Sequence, residues 1–363
     1  MARTQDMPSF VLSAFVSAAL AGCSSPPVPA DPGPTTPTTP VAIASSSAPI
    51  VSAPIVVPIG SVATPEVSPP KPKPLAITKS VADDILFVDV ALDNACKNAD
   101  EQLAIRCLVE KRYEQDPSAQ SLARALFDHS GNIAGVEREH MMDGGFRGAI
   151  HIVPEWPVRQ YRKHLDWVKA STDDFIVFFD KLGAKSEKTI RYRHRAIAYK
   201  FLRSVNRRTP SAYASEWSIG YNVSGSLHAS VDAVRETLFH EIFHLNDADH
   251  PVGSTSWSAH TLRKIQDAIL AQCSTRITCL TPYAPMPTMV RGGTYYAFQP
   301  NNGDAVHEYA AELATRYYRE HRAILRGEKL TARPFKCGPK ENAEAWKLLV
   351  DEFFGGIDLI PAC

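Results

Sequence analysis

Net charge is the first thing this chain lacks: 39 Lys and Arg balance 39 Asp and Glu over 363 residues. Beyond residue 80 the count is 35 against 36, so no basic surface of the kind that holds a phosphate backbone is implied, and nucleic acid is not an expected partner. No G-x-S-x-G elbow, Walker loop or Rossmann glycine fingerprint occurs, which removes the serine-hydrolase and nucleotide readings. Cysteine is sparse at seven residues and forms no C-x-x-C pair, so a thiolate metal site is not expected. There is no internal repeat. The apolar run at 8–22 is 15 residues long, short of the ~20 that a membrane-spanning helix needs.

That run has the length of a signal-peptide core. It ends in Leu20-Ala21-Gly22-Cys23, which resembles the lipobox of bacterial lipoproteins. The resemblance implies removal of residues 1–22, a lipid on Cys23 and anchorage of the chain in the cell envelope, outside the cytoplasm. Ser24 is similar to the residue that directs such proteins to the outer membrane. The start departs from the pattern, since Arg3 is its one basic residue and Asp6 offsets it. The rest of 23–80 reads as a linker: residues 24–80 hold 15 of the 28 prolines and almost no charge. Such a stretch cannot bury enough apolar surface to order itself, and as extended polyproline it reaches on the order of 150 Å. Its expected role is a tether.

Residues 81–363 are enough for one large domain or two lobes around a cleft. With Cys23 set aside, Cys96, Cys107, Cys273, Cys279, Cys337 and Cys363 remain. An even set in an exported protein reads as disulfides, and proximity in sequence suggests 96–107, 273–279 and 337–363, one of 15 connectivities that six cysteines allow. Helical spacing marks 100–114 and 117–128, the latter opening with Pro117 after Asp116. Strand patterns mark 148–154, 196–205 and 217–223. Two further helices are expected at 157–170 and 172–182, the second capped by Ser171 with Asp174.

The chemistry concentrates at His240-Glu241-Ile242-Phe243-His244. On a helix, i and i+4 imidazoles share a face about 5–6 Å apart at Cβ, a spacing that suits two corners of a zinc tetrahedron. Glu241 is then the candidate general base for a water at the metal. Ser230 can cap this helix, with Asp232 in its first turn. Val231, Val234, Leu238, Ile242 and Leu245 form an apolar stripe roughly 145° away from the two histidines. The helix can therefore pack on one side and present ligands on another.

Two residues compete for the third ligand. Glu308 and Glu312 lie one turn apart in 305–321, a helical segment that Asp304 can cap, and small Ala310, Ala311 and Ala314 invite another helix to approach. Glu308 can bind the metal while Glu312 orients a ligand. His250, ten residues after His240, has the spacing of the third metzincin histidine. That family requires Gly where Asp247 stands here, although Asn246-Asp247 can end a helix less readily. Met286 and Met289 lack the surroundings of its Met-turn.

His240-Glu241-x-x-His244 followed by Glu308-x-x-Ala-Glu312 is similar to the gluzincin metallopeptidases, especially the lethal factor-like branch. The resemblance covers the two helices, about 35 residues. It implies Zn²⁺ held by His240, His244 and Glu308, with Glu241 as base. It also implies an α+β, zincin-like domain with an active-site helix and a mixed sheet, behind the disordered Pro-rich linker. Trp217–Val223 is the candidate edge strand for substrate, or else an internal strand. Tyr295 and Tyr296 are candidate oxyanion donors or cleft-lining aromatics. The run Lys185–Arg208, with nine basic residues and one Glu, suits anionic headgroups, an acidic substrate or a solvated face. The expected activity is a zinc endopeptidase acting on peptides or proteins, membrane-bound through Cys23. The alternative is a non-catalytic envelope binding protein on the same scaffold.

Overall fold

The structure, a computed structural model, describes residues 76–88, 96–144, 148–290, 293–300 and 305–363. The signal segment, Cys23, most of the linker and Asp304 lie outside these residues. The chain divides into two units, Met1–Pro69 and Pro70–Cys363, and every described residue belongs to the second. This unit begins upstream of the expected Val81: Ile77 is already buried, and Thr78 caps the first helix.

The elements are α1 (Lys79–Leu86), α2 (Glu101–Arg112), α3 (Pro117–Ser130), β1 (Ile133–Val136), β2 (His140–Asp143), β3 (Ala149–Pro154), α4 (Arg162–Gly183), β4 (Ala198–Ser204), β5 (Ala212–Ser215), β6 (Ser218–Asn222), α5 (Val231–Asp249), α6 (Trp257–Thr261), α7 (Arg263–Cys273), α8 (Ile277–Leu280), α9 (Ala305–Leu325) and α10 (Lys340–Phe353). The class is mixed α+β. Among the described residues no helix is long and apolar enough to cross a membrane.

Local signals explain most boundaries. The Asp100 carboxylate accepts the N–H groups of Gln102 and Leu103 to start α2. Asp116 caps α3 ahead of Pro117, and Gly131, left-handed at φ 69°, closes it. The two helices expected at 157–170 and 172–182 are one, α4. Ser171 caps nothing: its buried hydroxyl donates to the Trp167 carbonyl one turn back, so the helix runs through it. Asp174 instead faces α9, where it accepts Arg322 at 2.7 and 2.9 Å and the Tyr318 hydroxyl.

The sheet runs β2-β3-β4-β6-β5, with β1 beside β4. Along one edge of β4, β1 pairs in parallel and β3 antiparallel; β6 pairs in parallel along the other. The strand expected at 217–223 is therefore internal, paired on both sides, and the edge belongs to β5. Tyr221 on β6 meets His164 on α4, which identifies the helix-covered face. The other face carries a smaller cluster of Ile150, Ile152 and Leu202, with Tyr213 packed on it. Gly135 on β1 is needed for contact: a Cβ there would sit 2.4 Å from the Ile85 carbonyl oxygen of α1.

Phe175, Phe178, Tyr192, Phe239, Tyr318 and Phe354 form one set of ring contacts that joins α4, α5, α9 and the end of α10. Large buried side chains of this kind stabilise by about 1.5–3 kcal/mol each. The six cysteines pair as 96–107, 273–279 and 337–363. Three members of the basic run make contacts within the chain: Arg191 pairs with Glu352, Arg203 with Glu155, and Arg193 lies 3.6 Å over the Trp217 ring.

Candidate metal centre

The Ser230 hydroxyl accepts the Ala233 N–H and starts α5. Val234, Leu238, Ile242 and Leu245 are buried as the stripe requires, while Val231 at the helix start is half-exposed. Phe239 and Phe243 are buried as well, so α5 is enclosed on more than one side. Asn246 fastens it further: its side chain accepts the Arg193 N–H at 2.7 Å and donates to the Arg193 carbonyl at 2.9 Å. The less covered line of α5 carries Glu236, His240 and His244 at i+4 steps. Helix α9 packs on α5 with Ala310, Ala311 and Ala314 buried, and small side chains permit that approach.

Three donor atoms converge where the helices meet. His240 Nε2 lies 3.0 Å from Glu308 Oε2, His244 Nε2 lies 3.0 Å from His240 Nε2, and His244 Nε2 lies 3.5 Å from Glu308 Oε2. Ligands about 2.0–2.1 Å from a tetrahedral zinc are about 3.3–3.4 Å apart, so the observed triangle fits one face of such a site. Two imidazoles and one carboxylate also leave a fourth corner open, as catalytic zinc sites do. Among the described residues this is the one group of three or more His, Cys, Asp or Glu placed to hold a metal.

Electrostatics separates the two carboxyl groups. Burial alone would raise Glu308, but hydrogen bonds and charge from His240 and His244 outweigh it and hold the group well below the usual carboxylate range. Glu241 is pushed up to about 7 chiefly by burial, with His244 opposing and Glu308 adding to the rise. The two carboxyl groups are thus shifted in opposite directions.

The remaining expected residues separate. His250 is not near the donors: its Nδ1 is 2.7 Å from the Asn246 carbonyl, and its ring packs edge-on against Phe353 at 5.0 Å. The reason is that α5 continues through Asp247 to Asp249, so no early stop swings His250 back. Glu312 orients neither histidine. Its buried carboxyl is raised by desolvation and accepts the Thr288 hydroxyl and the Met286 N–H, which fastens the 286–288 loop to α9. Met286 is buried and Met289 exposed. The Tyr296 ring centre lies 6.0 Å from that of His240, whereas the Tyr295 hydroxyl donates to Thr281. Sequence reasoning missed His307, Ser258 and the bonding role of Asp247 beside Glu308. The spacing of Asp247, three residues beyond His244, was the available signal.

No family model matches this chain, and no curated protein or solved structure is significantly similar to it.

Proposed function

We propose that the chain is a zinc-dependent endopeptidase tethered to the bacterial cell envelope. The observation that carries the reading is the triangle of His240, His244 and Glu308 donors with Glu241 buried beside it. His240, His244 and Glu308 would hold a zinc ion, which would supply Lewis acidity toward a peptide carbonyl and a water. Glu241 would accept a proton from the attacking water and pass it to the leaving amine. Tyr296, beside His240, is the candidate donor to the developing oxyanion. Edge strand β5 packs on α5 and can pair with an extended peptide. The Leu20–Cys23 lipobox pattern and the three disulfide pairs support placement outside the cytoplasm.

The test is Glu241→Gln, with zinc content by elemental analysis and cleavage of a mixed peptide library by mass spectrometry. The variant should keep one zinc and lose about 10²–10⁴-fold in cleavage rate. Full activity in Glu241→Gln would refute the mechanism. A wild-type chain with one zinc and no cleavage would favour the envelope binding reading.

A further inference from the structure

Glu308 lies in the first turn of α9, and the first turn of a helix frays unless something holds it. Among the described residues, two contacts help to hold this one. The Gln266 side-chain amide donates to the Ala305 carbonyl at 2.9 Å and to the Ala297 carbonyl at 3.0 Å. The second contact begins at His307, adjacent to Glu308 in the chain. Its Nδ1 is 2.9 Å from Asp247 Oδ2, a carboxylate only 2 % exposed.

Ser258 fixes that carboxylate in turn. Its N–H donates to Oδ1 at 2.7 Å and its hydroxyl to Oδ2 at 2.6 Å. The Ser258 and Ser256 hydroxyl oxygens lie 2.9 and 3.4 Å from His307 Nδ1. Because the Ser258 proton goes to the carboxylate, the proton between His307 and Asp247 comes from the ring: Nδ1 donates. Asp247 sits three residues beyond His244 on α5. The helix that carries two donors therefore also carries the anchor for the residue next to the third.

We propose that Asp247, Ser258 and His307 form a positioning unit for the metal centre, which sets the first turn of α9 so that the Glu308 carboxylate meets His240 and His244. This rests on the metal-centre reading above. The unit has no part in bond breaking. It acts on the distance between Glu308 and the two histidines, and outer partners of this kind commonly change metal affinity by about 10–100-fold.

The test compares the full-length chain with His307→Ala and His307→Asn. Zinc affinity is read by competition with a chromophoric chelator, and the thermal midpoint of each zinc-free protein is measured alongside. His307→Ala should bind zinc on the order of ten-fold more weakly. His307→Asn, whose side-chain amide can donate from the place of Nδ1, should restore the wild-type affinity. A purely structural role would lower the thermal midpoint and leave zinc affinity unmoved. Wild-type affinity in His307→Ala overturns the proposal, as does a His307→Asn protein as weak as His307→Ala. A wild-type chain that takes up no zinc is a different result: it removes the metal centre itself, and the positioning role with it.

Discussion

Replacing His228 by Asn should make the protein markedly more resistant to mild acid. His228 precedes the cap of α5; it is 6 % exposed, stacks on Tyr221 at 4.0 Å and donates from Nδ1 to the Asn222 carbonyl. Burial lowers its pKa from 6.5 to about 4, with the Asn222 hydrogen bond opposing. A depressed histidine stabilises the fold fully above the unfolded value near 6.5, and that stability is lost as pH falls, until about 4. Between pH 7.5 and 4.5 the linkage amounts to about 2.5 kcal/mol for this one group. Asn can keep the Nδ1-type donor but cannot ionise. Urea unfolding followed by tryptophan fluorescence should show wild type losing about 2.5 kcal/mol more than His228→Asn over that interval. His164, whose ring centre lies 6.4 Å away, is lowered to about 4 by burial first and by the charge of His228 second, so His228→Asn also relieves part of the acid loss at His164 and widens the difference. Equal acid losses in the two proteins would refute the reasoning.

Glu308→Gln should lose most bound zinc, whereas His250→Gln should retain it; elemental analysis of the two purified variants decides between them. Asp174→Ala removes the partner shared by Arg322, Tyr318 and Arg235, leaving Arg235, only 10 % exposed, with Asp232 alone. It should cost about 3 kcal/mol in urea unfolding at neutral pH. Replacing both Cys337 and Cys363 by Ser opens a loop with a sequence separation of 26 and should cost about 3 kcal/mol, read by the same assay.

Features carried by neighbours in the chain were legible without coordinates. Asp116 before Pro117, Ser230 before Val231 and the spacing of Val234, Leu238 and Ile242 act within one or two turns, so their helices follow from local chemistry. The cysteine pairs are close in sequence, and short separations make those contacts the easiest to form. The break expected at Ser171 failed because a serine hydroxyl can satisfy itself on the preceding turn as well as cap a new helix. The position of 217–223 in the sheet also escaped the sequence, since edge and interior strands differ in what pairs beside them, not in their own pattern.

The sequence by itself determined that a helix would present His240 and His244 on one face, because a 3.6-residue period and a good cap leave little choice. It equally determined that Glu308 and Glu312 would share a face of a second helix. Only the tertiary structure decided that Glu308 reaches the histidines, that Glu312 turns to Thr288 and Met286, and that His250 stays with Asn246 and Phe353. The physical reason lies in packing: α5 continues past Asp247, and the alanines of α9 let the two helices close. That distance depends on side chains 60 to 70 positions apart meeting in space, and no local spacing encodes it.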